Sequence, residues 1–127
     1  MLHERHWTIQ EANAVLPWVS DRVRRMRRAR DRLTDDSSMT AMPSIAAVTG
    51  GGWPGRASAE ATLELTFGLE QLGRLDIVVR DLDAGLIDFP ALRDGREVYL
   101  CWQVDEPSIG GWHAAETGYR LPLDPWS

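Results

Sequence analysis

Hydrophobic positions in the first part of the chain recur at steps of three and four. Ile9, Ala12, Leu16, Val19, Val23, Met26 and Leu33 fall on one stripe, with Arg30 in the one missing slot. This heptad spacing, held over about seven turns, predicts an amphipathic helix whose narrow seam meets a single partner helix. Thr8 is a good N-cap, and Glu11 three residues later completes a capping box. Trp7 stands where it can staple onto the first turn. Pro17 removes one backbone bond, which predicts a bend near Asn13, with the Asn13 side chain bonding a freed carbonyl.

The pattern breaks over residues 34–57, TDDSSMTAMPSIAAVTGGGWPGRA, where Ser, Thr, Gly and Pro predict a long mobile loop. A second helix is expected from Ser58 to Leu72. Thr62, Leu65, Leu69 and Leu72 form its stripe, Leu63 and Phe67 widen it, and Gly73 stops it. Residues 8–73 therefore read as an antiparallel helical hairpin.

From residue 74 to 127 the period changes to two. Ile77, Val78 and Val79 form a β-branched run, Asp83-Ala84-Gly85 a turn, and a short strand passes through Ile87 and Phe89. Asp94-Gly95 is a hairpin turn leading into Glu97–Val104, the strongest strand signal in the chain. Ile109 to His113 reads as a returning strand. The tail, YRLPLDPWS, has too many prolines for a central strand. Val98, Leu100, Trp102 and Val104 share the face expected to meet the helices. Glu97, Tyr99, Cys101 and Gln103 share a more polar one. The fold class is α+β: a long helical hairpin packed on a small antiparallel β-sheet, in a single domain over residues 1–127.

Composition narrows the setting. The 127 residues suit one core, and no apolar run is long enough to span a bilayer. The charged start, MLHERHW, lacks the apolar stretch of a signal peptide, and one cysteine, Cys101, suits a reducing compartment. A cytoplasmic protein is the expectation. The net charge of −5 argues against nucleic acid as a partner, because phosphate repels an acidic surface. All fourteen basic residues are arginines, and seven of them, Arg22 to Arg32, crowd the end of the first helix. They read as a solvated helical face braced by Asp21–Arg25 and Arg27–Asp31 pairs, with a phosphate or acidic-partner patch as the sharper alternative. Arg30 is expected to meet Glu64 or Glu70 across the hairpin.

The run VRDLDAGLIDFPALRDGREVYLCW, Val79 to Trp102, resembles the bacterial family known as domain of unknown function 2203. EPSIGGWH, Glu106 to His113, and WTIQEANAVLP, Trp7 to Pro17, are similar to it too. The resemblance covers nearly the whole chain. It implies a helical pair followed by a small sheet, and no activity. Gly111 departs from the aromatic usual before Trp-His, and the segment after Glu116 is short.

Candidate chemistry centres on His113, with Asp81, Asp83, Asp88, Glu97 and Glu116 as nearby carboxylates. His113, Glu97 and Asp88 are the candidate catalytic set, and the same three are the candidate ligands for a divalent metal ion. A set of two histidines and one carboxylate would have to recruit His3 or His6. Arg93 and Arg96 are placed to clamp an anion, or to pin the hairpin by pairing with Asp88, Asp94 or Glu97. Trp102 and Trp112 are the candidate aromatic walls of a pocket, and Cys101 a candidate ligand-binding residue, though a strand cysteine is more often packing. No phosphate loop or paired-cysteine motif occurs.

Two function classes follow. One is a small-ligand or metal-binding domain, enzymatic or not, with its site on the polar face of the sheet. The other is a structural or interaction module forming a homodimer through the heptad face of the first helix.

Overall fold

The computed structural model describes residues 1–39 and 53–123. Helix α1 spans Ile9–Met39 and α2 spans Trp53–Arg74. Five strands follow: β1 Val78–Asp81, β2 Leu86–Arg93, β3 Arg96–Gln103, β4 Gly111–Ala114 and β5 Leu121–Pro122. They lie in the order β1-β2-β3-β4-β5, each antiparallel to the next, so the sheet is a simple meander. Both helices extend into the stretch expected to be loop, and the centre of that expected loop lies outside the described residues. Pro54 stands in the first turn of α2, where its missing N–H costs nothing.

The start of α1 follows from its cap. The Glu11 N–H donates to Thr8 Oγ1 at 3.1 Å, while the Thr8 N–H donates to Glu11 Oε1 at 2.9 Å. Trp7 is buried edge-on against Phe89, and its indole N–H donates to the Leu75 carbonyl. Asn13 plays a different part from the expected one. Its Oδ1 accepts from the Ile109 N–H at 2.8 Å and ties α1 to the loop before β4.

The seam of α1 is filled within the chain. Ala12, Leu16, Val19, Val23 and Met26 form one core with Leu72 of α2 and with Ile87, Phe89, Ala91, Val98, Leu100 and Trp102 of the sheet. Val19 and Val23 have no exposed surface. Beyond Met26 the buried position is Ala29, one residue before the heptad slot, so Arg30 turns outward to Asp31 and Asp83. Its neighbours are also engaged: Arg24 with Asp105, Arg25 with Asp21, Arg27 with the Asp83 carbonyl and Arg32 with Glu64. Glu64 thus meets Arg32, not Arg30, and Asp31 meets Arg30.

The stripe expected on α2 is largely misplaced. Ala61, Gly68 and Leu72 are buried, whereas Thr62, Leu63, Phe67 and Leu69 are exposed. Small residues let α2 lie close to α1, which already covers the sheet, and α2 meets the sheet at β1. The left-handed residue after α2 is Asp76, with φ of 59°, three positions beyond the expected Gly73 stop.

The β2–β3 hairpin turns at Asp94 and Gly95, both at positive φ, 52° and 76°, between the paired Arg93 and Arg96. This is the backbone of a two-residue type I′ turn, and it fixes the register that the rest of the sheet inherits. β5 holds only two residues, at an edge where a proline is tolerated.

The contrast between the two faces of α2 is measurable. Leu72→Ala should cost about 2–5 kcal/mol of unfolding free energy, and Leu63→Ala within about 0.5 kcal/mol of nothing. Urea titrations of both variants check it. Equal losses would mean that α2 packs through the stripe read from sequence.

Candidate functional site

The helices cover one face of the sheet, and alternation along the strands places a polar cluster on the other. In β2 this face carries Asp88. In β3 it carries Glu97, Tyr99 and Cys101, and in β4 it carries Gly111 and His113. Asp88 pairs with Cys101, Cys101 with Gly111 and Tyr99 with His113, so the cluster lies across three adjacent strands.

Tyr99 sits at its centre and is only 3% exposed. The His113 ring stacks on it at 5.3 Å, the His3 ring meets it edge-on at 5.6 Å, and the Arg80 guanidinium lies over it at 4.6 Å. Its hydroxyl is 2.9 Å from His3 Nε2. Arg80 lies at the irregularity in the β1–β2 register between Val79 and Asp81, and alternation from Val79, which packs on the helix-side core, puts it on the open face. Its Nε donates to Asp88 Oδ2 at 2.6 Å. Burial alone would lower the affinity of Arg80 for its proton; the Asp88 carboxylate outweighs this and raises it.

Asp88 and His113 are the buried polar residues of the described core. His113 Nε2 is 2.8 Å from Asp88 Oδ2, and its Nδ1 is 2.8 Å from the Ala114 carbonyl. Cys101 lies beside them: one ligating atom each from Asp88, Cys101 and His113 can be chosen so that all fall within 4.8 Å of one another. Burial first, and the Asp88 charge second, push the Cys101 thiol up to about 12. The nucleophilic form is thereby suppressed.

These residues open onto a cleft of about 370 Å³, also lined by Leu86, Ala115, Thr117 and Arg120. Gly111 makes room for Arg120. A Cβ there would fall 2.6 Å from Arg120 Nε and 2.7 Å from the Leu121 carbonyl. Arg120 crosses this gap and holds Glu106 at 2.9 Å.

The candidates read from sequence divide. His113, Asp88 and Cys101 come together. Glu97 shares their face but serves the N-terminal segment: it accepts from the Leu2 and His3 N–H groups and from the His6 ring at 2.8 Å. Trp102 borders the cleft, yet its side chain belongs to the helix-side core and donates to the Glu106 carbonyl. Trp112 packs on the same core, and Arg93 lies 4.5 Å over its ring. Arg96 opposes Arg93 across the turn. The alternation that puts Asp88 on the helix-free face sends Arg93, Arg96, Trp102 and Trp112 to the other side. Arg80, Tyr99 and Arg120 were not among the sequence candidates. The first needed its partner Asp88, the second its polar neighbours and the third the path of the tail. His3 and His6 gave one signal, two histidines close together in a charged start.

The class defined by this architecture is a two-layer α+β domain with a cleft of mixed charged and apolar lining on the helix-free face of an antiparallel meander. The chain matches, over residues 5–121, the model of a family described as an uncharacterized conserved protein, DUF2203, and belongs to that family. No curated protein and no solved structure matches it. Among the described residues, no helix is long and apolar enough to cross a membrane.

Two predictions follow from the electrostatics. Burial works to raise the Glu97 carboxyl, but the bonds from His6, Leu2 and His3 outweigh it and hold the group below its ordinary 4.5. Asp76 is lowered too, chiefly by the His3 ring. A depressed carboxylate contributes stability above its ordinary value and loses it as pH falls through the folded one. Glu97→Gln should therefore melt earlier than wild type at pH 7, with the gap closing as pH falls through the lowered folded value. A gap that persists at low pH would mean that the charge is not what holds the segment. Cys101 in the folded protein should resist iodoacetamide at pH 8, where its thiolate is roughly one part in ten thousand, and react on unfolding. Native-state alkylation at the rate of a free thiol would contradict this burial.

Proposed function

We propose that this chain is a small-ligand-binding domain whose site is the cleft on the open face of the sheet, and that the ligand carries an anionic group on a compact apolar body. The observation that supports this most is the pairing of Arg80 and Arg120 around one cleft whose buried acid is already engaged. Asp88 Oδ2 faces both Arg80 and His113, which leaves little negative charge at the base to repel an anion. Arg120 is anchored by Glu106 but keeps 40% of its side chain exposed. A guanidinium held in this way presents its remaining N–H groups as a fork suited to carboxylate or phosphate. Leu86 and Ala115 add apolar wall beside it. A site of this size and mixed lining is typical of small-molecule recognition.

The test is a thermal-shift and calorimetric screen of small carboxylates and phosphate monoesters against neutral isosteres, on wild type and Arg120→Ala. Charge-assisted bonds of about 1.5–3 kcal/mol predict that Arg120→Ala weakens a bound anion roughly 10- to 100-fold while the fold persists. Anions that shift neither melting nor heat, or that bind the variant equally well, would sink the reading.

A further inference from the structure

We propose that Asp88, Cys101 and His113 form a three-ligand site for a zinc-class divalent metal ion at the base of this cleft. The inference deepens the cleft reading, and it does not require the ligand to be an anion.

The convergence of three donors, Asp88, Cys101 and His113, within 4.8 Å of one another carries it, and the hydrogen-bond partners of His113 support it. Nδ1 faces the Ala114 carbonyl and Nε2 faces the Asp88 carboxylate, each at 2.8 Å. Both partners are acceptors, and a neutral imidazole has one N–H. The Nε2···Asp88 contact therefore needs either a proton, on one partner or the other, or a metal cation. The carbonyl contact favours the Nδ1–H form and turns the Nε2 lone pair inward. Metal-bound imidazoles are oriented by this same kind of outer contact.

The remaining geometry suits a cation. The sulfur, nitrogen and oxygen donors already lie within 4.8 Å of one another on three adjacent strands. A tetrahedral zinc ion with bonds near 2.0–2.3 Å would hold them roughly 3.3–3.6 Å apart, within reach of small side-chain rotations. The donor set of thiolate, imidazole and carboxylate selects zinc or cobalt over magnesium or calcium. A carboxylate has two oxygens, so Asp88 can ligate while Arg80 keeps it oriented. The thiolate and the carboxylate together neutralise a divalent ion, so the Arg80 guanidinium meets no net positive charge. Binding releases to solvent the Cys101 thiol proton and the proton that otherwise lies between His113 Nε2 and Asp88. Three protein ligands leave a position for water or a cleft ligand, the pattern of zinc sites that act on substrates.

The experiment uses the full chain without an affinity tag, stripped with chelator and titrated with Zn²⁺ and Co²⁺. One ion per chain should bind. The cobalt form should show a thiolate-to-metal charge-transfer band and the intense visible bands of tetrahedral geometry. Cys101→Ser should remove the charge-transfer band and weaken binding at least about tenfold, and His113→Gln should weaken it at least as much. Circular dichroism checks that each variant folds; Cys101→Ser, nearly isosteric, keeps the test open if His113→Gln does not. His3→Ala with His6→Ala should change neither band nor affinity. Failure to bind either ion, a cobalt spectrum without the charge-transfer band, or loss of binding in the His3/His6 double variant overturns the proposal. Running the anion screen on chelator-treated protein separates the two readings, since anion binding there stands without the metal and metal binding stands without an anion.

Discussion

Strand β3 has to bury both of its faces, and only one of them has helices to lie under. On the helix side Val98, Leu100 and Trp102 join the α1 core, as apolar side chains of a central strand do. On the other side Tyr99 must lose its water without a second layer of structure above it. Its cover is polar: two imidazoles, a guanidinium and the segment that leads to α1. An aromatic ring accepts such cover because its face attracts cations and its hydroxyl still finds a partner. The charged cluster on the open face is thus a consequence of placing Tyr99 there.

That cover brings charges into low-dielectric surroundings, where an unpartnered group costs several kcal/mol. The cost is contained because each group is shared. Asp88 takes both Arg80 and His113; Glu97 takes His6 and two backbone N–H groups; Asp76 takes His3 and the Arg5 N–H. The N-terminal segment is consequently part of the sheet's open face, not a free leader into α1. Asp76 reaches it from the left-handed turn after α2, so the end of the hairpin and the beginning of the chain meet at one carboxylate.

Much of this fold is legible in the residue pattern, and the reason differs by element. The capping box around Thr8 and the Asp94-Gly95 turn are local, since the groups that satisfy each other stand within three residues. The two faces of β3 are legible because a period of two admits only two assignments, and polarity chooses between them. The helical seams read less well. α1 drifts from strict heptad spacing at Ala29, and α2 buries Ala61 and Gly68 where larger apolar residues suggest another face. Hydrophobicity marks what can be buried; close packing of two helices is decided by what is small. The polar cluster was legible at Asp88 and His113, which are polar residues in strand segments. Glu97 looked equivalent to them because side-chain type does not reveal its partner, and its partners lie more than ninety residues away.

The cleft is assembled from single residues of successive strands: Arg80 from β1, Asp88 from β2, Cys101 from β3 and His113 from β4, with Arg120 leading into β5. In a meander each of these is fixed by the register of its own hairpin, so the cluster depends on every turn between residues 81 and 121. Two arginines reach the same face: Arg80 by ordinary alternation from Val79, and Arg120 through the gap left at Gly111. A side chain at Gly111 would fill the space that Arg120 takes. The helical hairpin sets none of these positions directly. It buries the opposite face and keeps the sheet rigid, which lets a cluster with this much charge hold its geometry.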